Sequence, residues 1–282
     1  MLRDQQAHQQ ESFMTHSMFV AAWAPVATPM ALTPTLPKHT AILGRIAAAC
    51  VLAGIASTAL AAAGQCEAQS GAELKPVIEL YTSEGCSSCP PADKWASTLK
   101  GSNAVVQAFH VGYWDYIGWV DRFASPAYTT RQRQTAALNG QSGIYTPQVV
   151  RNGRDWRNWG TPPLSMEPAH ATLTVKRLGG DAQGDQFEAT VTPEGGASVN
   201  WAAYWTVTEN DHSSRVKSGE NAGEFLKHDF VVRQFTNAGN YQGPARLTFR
   251  AIAADPAHPR SINLVVFDPK TGKPLQALAV GC

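Results

Sequence analysis

Apolar and polar positions fall into two textures along the chain. In the first, short apolar runs are separated by helical segments. Val77 to Tyr81, in PVIELYT, is a β-rich run ended by a Ser/Gly turn. The following CSSCPPADKWASTLK carries Pro90 and Pro91, which suit the first turn of a helix because missing N–H groups cost nothing there. That helix is expected to reach about Leu99 and to stop at Gly101. AVVQAFHV, Ala104 to Val111, reads as a second strand, and SPAYTTRQRQTAALNG as a helix after Pro126 that stops at Asn139-Gly140. TPQVVRNGRDW begins a third strand at Thr146, with Asn152-Gly153 as a hairpin turn.

After Pro168 the texture changes. ATLTVKRL, QFEATVTP, NWAAYWTVTE, HDFVVRQF, ARLTFRAI and INLVVFDP recur with Gly, Asn, Asp and Pro between them. Short strands at this spacing predict an antiparallel sandwich or sheet. No Gly-rich phosphate loop, H-E-x-x-H, nucleophile elbow or internal repeat interrupts them.

Ahead of both textures, Ile46 to Ala63 is an unbroken run of apolar and small residues, preceded by Lys38 and Arg45. Its ending, STALAAAG, places small residues for signal-peptidase cleavage near Ala61 or Ala63. A membrane anchor is the competing reading, but Gly54, Ser57, Thr58 and the many alanines make the run weakly hydrophobic for one. Residues 1–29 are polar, then Pro- and Ala-rich, and Met30 would start a signal of more usual length. Residues 1–63 are therefore expected to be an N-terminal extension and signal, and the mature protein to be periplasmic or secreted.

The chain has 282 residues, 44% of them hydrophobic and 16% charged, with a net charge of +1. That length allows one large domain or two ordinary ones. The charge balance offers no field for nucleic acid, and no membrane association is expected once a signal is removed. Setting aside Cys50 leaves Cys66, Cys86, Cys89 and Cys282, an even number that suggests disulfides in an exported chain. Three pairings are open. The C-x-x-C proximity favours Cys86 with Cys89, which leaves Cys66 with Cys282 as a tie between the ends of the mature chain.

A C-x-x-C at a strand-to-helix junction has a clear chemical use. The helix N-terminus offers unpaired N–H groups and partial positive charge, which lower a thiol's pKa. Cys86 would be the exposed attacker, titrating below the free-thiol value of about 8.5. Cys89, one turn in, would be the shielded resolver. Glu84 opposes the thiolate, and the helix is expected to prevail while Glu84 turns into water. Thr146 and Pro147 would open a strand beside the sulfurs, with a cis peptide between them. Glu79 is either a buried proton shuttle or an outward-facing carboxylate.

This pattern predicts an α/β thioredoxin-like domain over residues 72–160, followed by a β-rich, sandwich-like C-terminal domain over residues 168–282. Tyr113, Trp114, Tyr116 and Trp119 are either a lid over the cysteines or interior packing. Asp115, Asp121 and Arg122 are expected to form a local ion-pair set. GEN at Gly219 to Asn221 and HDFVVR at His228 to Arg233 read as a turn and a strand, not as a site.

Several longer stretches carry a resemblance. VIELYTSEGCSSCPPAD, AFHVGYWDYIGWVDRFASPAYTTRQR, IYTPQVVRNG, SGENAGEFLKHDFVVRQF and LVVFDPKTGKPLQALAV resemble the exported bacterial family named domain of unknown function 1223. The resemblance spans nearly the whole expected mature chain. It implies a thioredoxin-like fold with a β-rich C-terminal part, and no established activity. Three functions stay open. One is an envelope thiol–disulfide oxidoreductase with protein thiol or disulfide substrates and a redox partner. Another is a non-catalytic binding or structural protein with an inert disulfide. The third is a copper- or zinc-handling protein with His110 as third ligand, a residue that otherwise reads as a packed core histidine. No cofactor and no tightly held metal are expected, because an exported C-x-x-C pair oxidises and a disulfide is a poor ligand.

Overall fold

The computed structural model describes residues 66–160 and 167–282. The expected signal, its cleavage site and Cys50 lie outside them. Strand β1 is Glu67–Gln69, β2 is Val77–Thr82, β3 is Val105–His110, β4 is Gln148–Arg151 and β5 is Arg154–Asp155. Helix α1, Pro90–Ser97, follows β2, and α2, Pro126–Leu138, precedes β4. Then come β6 (Ala171–Asp181), β7 (Gly184–Pro193), β8 (Asn200–Glu209), β9 (His212–Arg215) and β10 (Phe225–His228). The last four are β11 (Val231–Gln242), β12 (Ala245–Ile252), β13 (Arg260–Phe267) and β14 (Pro274–Gly281).

The local signals act where the sequence places them. Pro90 and Pro91 open α1, and Gly101 turns the chain after it with φ +76°. Ser125 caps α2, its hydroxyl accepting from Ala127 N–H, with Pro126 next. Asn152 and Gly153 both take positive φ, 48° and 77°, and turn β4 into β5.

The fold class differs from the expected one. The protein is mostly β-sheet, with two α-helices among the described residues, and is not an α/β thioredoxin-like domain followed by a separate sandwich. Strands from both halves join one eight-stranded mixed sheet, in the order β14-β13-β8-β11-β3-β2-β4-β5. The join is β11 beside β3: Val231 pairs parallel with Ala108, whose N–H bonds Phe230 O at 2.8 Å. The sequence hides it because HDFVVRQF reads as one strand. In fact His228 ends β10, Phe230 turns with φ +56°, and β11 starts at Val231.

A four-stranded antiparallel sheet, β1-β6-β7-β12, covers one face of the C-terminal strands. Trp201, Ala203, Trp205 and Val207 of β8 point into that interface with Phe187, Phe249 and Leu264, and Trp205 stacks on Phe249 with centroids 5.0 Å apart. Tyr204 of β8 points the other way, to Val77 and Val105. All of β8 after Asn200 is buried, which explains its nearly continuous apolar sequence.

Alternation along β2 assigns its two faces. Ile78 and Leu80 pack on Ala92, Ala96 and Leu99 of the α1 segment. Tyr81 packs with Phe109 and with Tyr128 of α2 on the opposite face. No helix among the described residues is long and apolar enough to cross a membrane.

Candidate functional site

Cys86 and Cys89 lie in the turn between β2 and α1 and form a disulfide, Cα atoms 5.4 Å apart. Cys89 N–H bonds Cys86 O at 3.1 Å, and Cys89 is the N-cap residue of α1. The expected exposed attacker is not exposed: Cys86 is 1% and Cys89 0% accessible, while Ser87 and Ser88 face solvent. Cys86 Sγ is 3.4 Å from Ser88 Oγ.

The helix does little for a thiolate here. Pro90 and Pro91 have no N–H to offer, and the next two donors, Ala92 and Asp93 N–H, bond Cys89 O at 2.9 and 3.2 Å. Glu84, expected to turn into water, is fully buried, with Trp119 Nε1 donating to its Oε2 at 2.7 Å. The first N–H groups of α1 are thus engaged by Cys89 O, and Glu84 is turned inward.

Beneath the cysteine turn lies a cluster of buried ionisable side chains: Glu84, Asp93, His110, Asp121 and His228. His110 Nδ1 is 2.6 Å from Asp121 Oδ2, which also accepts Glu84 N–H at 2.9 Å. His228 Nε2 lies 3.2 Å from Glu84 Oε1, without hydrogen-bond alignment. The His110 and His228 rings are 5.0 Å apart, edge to face. Asp93 Oδ2 accepts from Thr82 Oγ1 at 3.1 Å.

Burial raises the Asp93 pKa, only partly opposed by His228 and His110. For Asp121, burial also pushes upward, but His110 and two backbone N–H donors hold it below the ordinary value. His110 is the mirror case: burial pushes it down, and Asp121's charge and hydrogen bond raise it overall. For Glu84, burial pushes upward, but the neighbouring polar groups of His228, Ser214 and Trp119 bring it below its ordinary value overall.

Two distant segments cover the turn. In the first, Trp114 Nε1 donates to Thr146 Oγ1 at 2.7 Å, and a Cβ on Gly85 would lie 3.1 Å from Trp114 Cβ. Trp114 thus spans the cysteine turn and Thr146, and Trp119 reaches Glu84. Tyr113 packs in the interior, and Tyr116 is 81% exposed. The second segment is the β9–β10 loop. Asn221 Nδ2 donates to Glu84 O at 2.8 Å and Cys86 O at 3.0 Å, and Ser87 N–H bonds Glu220 Oε2 at 3.0 Å. This is the GEN turn that the sequence did not mark as a site. Its only signal was a place within the family-like stretch SGENAGEFLKHDFVVRQF.

The remaining expected residues fall as follows. Thr146 and Pro147 are half-buried, their peptide is cis, and Gln148 after them pairs with Tyr81 of β2. Glu79 is buried but on the α2 face of the sheet. Arg131 grips it with Nη2 at 2.5 Å and Nε at 3.0 Å, and Tyr81 Oη donates to it at 2.6 Å. Ile78, Leu80 and Thr82 face α1, so Glu79 is not brought to the cysteines. Asp115, Asp121 and Arg122 do not form an ion-pair set: Asp121 turns to His110, and Arg122 Nη2 donates to Ser213 O at 2.8 Å. Cys66 and Cys282 form the second disulfide, Cα atoms 5.7 Å apart. Among the described residues, no group of three or more His, Cys, Asp or Glu side chains is arranged to hold a metal ion.

Comparison with solved structures finds the fold elsewhere. A crystal structure of an Agrobacterium tumefaciens protein from a structural-genomics programme matches with a TM-score of 0.53 at 22% identity, covering 75% of this chain and 96% of that one. HBP35 of Porphyromonas gingivalis matches with a TM-score of 0.50 at 13% identity, covering 74% of this chain and 76% of that one. Identities this low speak to the fold alone. No curated protein matches. A family model described as "Protein of unknown function (DUF1223)" matches residues 77–267.

Proposed function

The chain belongs to this DUF1223 family, whose description attaches no activity to it, and from that footing we propose that Cys86–Cys89 is a redox-cycling disulfide that exchanges with protein thiols. The observation that carries the reading is the set of five buried ionisable side chains under the cysteine turn. Burying a charged group costs several kcal/mol, even after relaxation. A staple with no chemistry has no use for such a cluster, whereas thiol exchange must move protons.

A substrate thiolate attacks Cys86 Sγ, the Cys86–Cys89 bond breaks, and Cys89 leaves with the electron pair and takes a proton. A second substrate thiol then displaces Cys86. The substrate gains a disulfide, and the protein becomes a dithiol. Asp93, one helical turn beyond Cys89 and with its pKa raised by burial, is the group we assign to supply the proton. Glu79, gripped by Arg131 on the other face, takes no part. The four cysteines paired in two disulfides suit an oxidising compartment, so we place the protein in the bacterial envelope or outside the cell.

One observation favours a second reading. Both sulfurs are buried and α1 offers them no free N–H, as in an inert disulfide that shapes a binding surface. Equilibration of the folded protein in glutathione buffers of graded ratio, with acid trapping and mass mapping, separates the two. Cys86 and Cys89 should interconvert reversibly while the fold persists, and Cys89→Ser should trap glutathione on Cys86. A pair that stays oxidised at every ratio until denaturant is added would establish the inert reading.

A further inference from the structure

The cysteine turn is held shut by two residues that sit more than a hundred positions away in sequence. Asn221 is buried, and its single amide bonds the carbonyls of both Glu84 and Cys86. Its neighbour Glu220 is exposed and accepts the Ser87 N–H. The turn's backbone is therefore gripped on both sides of the Cys86 sulfur. Gly219 and Gly223 bracket these residues with φ of +77° and +94°, conformations that glycine reaches without strain. Ser218 Oγ donates to Gly118 O at 2.5 Å and ties this loop to the Trp114–Trp119 segment.

Outside the loop, a groove of about 670 Å³ runs between α1 and β10, with Ser87, Pro90, Lys94, Glu220, Asn221 and Phe225 in its walls. Among the described residues, β10 pairs with β9 alone.

We infer that Glu220 and Asn221 form a clasp that must release Ser87 and Cys86 before a thiol arriving from this groove reaches the disulfide. The inference rests on the exchange reading above and adds its control. The grip consists of three hydrogen bonds, one of them to a carboxylate in water, and the glycines on either side let the loop swing without moving β9 or β10. Opening is then local, and the rate of exchange is set by the clasp and not by unfolding of the sheet.

The test uses the oxidised full chain and a water-soluble phosphine reductant, with time points quenched by alkylation and mapped by mass. The variants are Asn221→Ala, Glu220→Ala and, as a control of the same charge change, Glu67→Ala, an exposed residue of β1 outside the groove. Reduction of Cys86–Cys89 should be at least ten-fold faster in Asn221→Ala and several-fold faster in Glu220→Ala. In Glu67→Ala it should be unchanged. Because Glu220 is exposed, Glu220→Ala should keep the wild-type urea midpoint, so the inference stands or falls on it if Asn221→Ala does not fold. Ready reduction of the wild type, with both clasp variants no faster, would overturn the clasp and leave the exchange reading intact. Reduction that follows global unfolding in every variant would overturn both.

Discussion

Asp93 lies on the inner face of α1, its carboxylate against Thr82 Oγ1 at 3.1 Å and within the field of His110 and His228. Its pKa is raised, so between the unfolded value, about 3.9, and the folded value the native state binds a proton that the unfolded chain has lost. Stability from this site is fully present below that window and falls as pH rises through the folded pKa. Asp93→Asn keeps an acceptor for Thr82 and removes the charge. The variant should gain on the wild type as pH climbs above about 4, read as the difference in urea midpoint. A difference that does not vary with pH would show that Asp93 titrates as it does in the unfolded chain. His110 and Asp121 act in opposite pH ranges. The raised imidazole contributes stability below its unfolded pKa and loses it as pH rises. The depressed carboxylate contributes above its unfolded pKa and loses it as pH falls.

At the scale of elements, the β7–β12 pairing has a tight point at Gly184, opposite Ile252, with φ +139°. A Cβ there would run into Ala251 O, which belongs to the paired strand and cannot swing away. Gly184→Ala should cost about 3 kcal/mol, from overpacking and backbone strain together, measured as a fall in urea midpoint. A loss below about 1 kcal/mol would mean that the strands part easily there. Other elements show where reading from sequence works. Pro90-Pro91, Pro126 and Asn152-Gly153 are local rules acting through φ, and all of them were legible. β9 was not, because His212 and Ser214 are the residues it buries and HSSR has no apolar alternation. The clasp was invisible for a related reason. Asn221 bonds backbone carbonyls, which any sequence supplies, so nothing near the cysteines announces it. The single sheet was missed because its join is one residue pair between β3 and β11, beyond the reach of any local pattern.

For the molecule as a whole, the Cys66–Cys282 bond closes a loop with a sequence separation of 216. The chain-entropy model gives about 5 kcal/mol for so long a loop, and measured values run lower. Cys66→Ser with Cys282→Ser should therefore lower unfolding free energy by about 2–5 kcal/mol in urea titrations. An unchanged midpoint would show that the β1–β6 and β13–β14 ladders hold the ends unaided. The separation of 135 between Asn221 and Cys86 has a different consequence, one of time. Chains are made from the N-terminus at about 5–20 residues per second. Cys86 and Cys89 therefore exist for several seconds before the loop that covers them has been made. A chain ended within that interval would carry the cysteine turn without Asn221 or Glu220 to hold it.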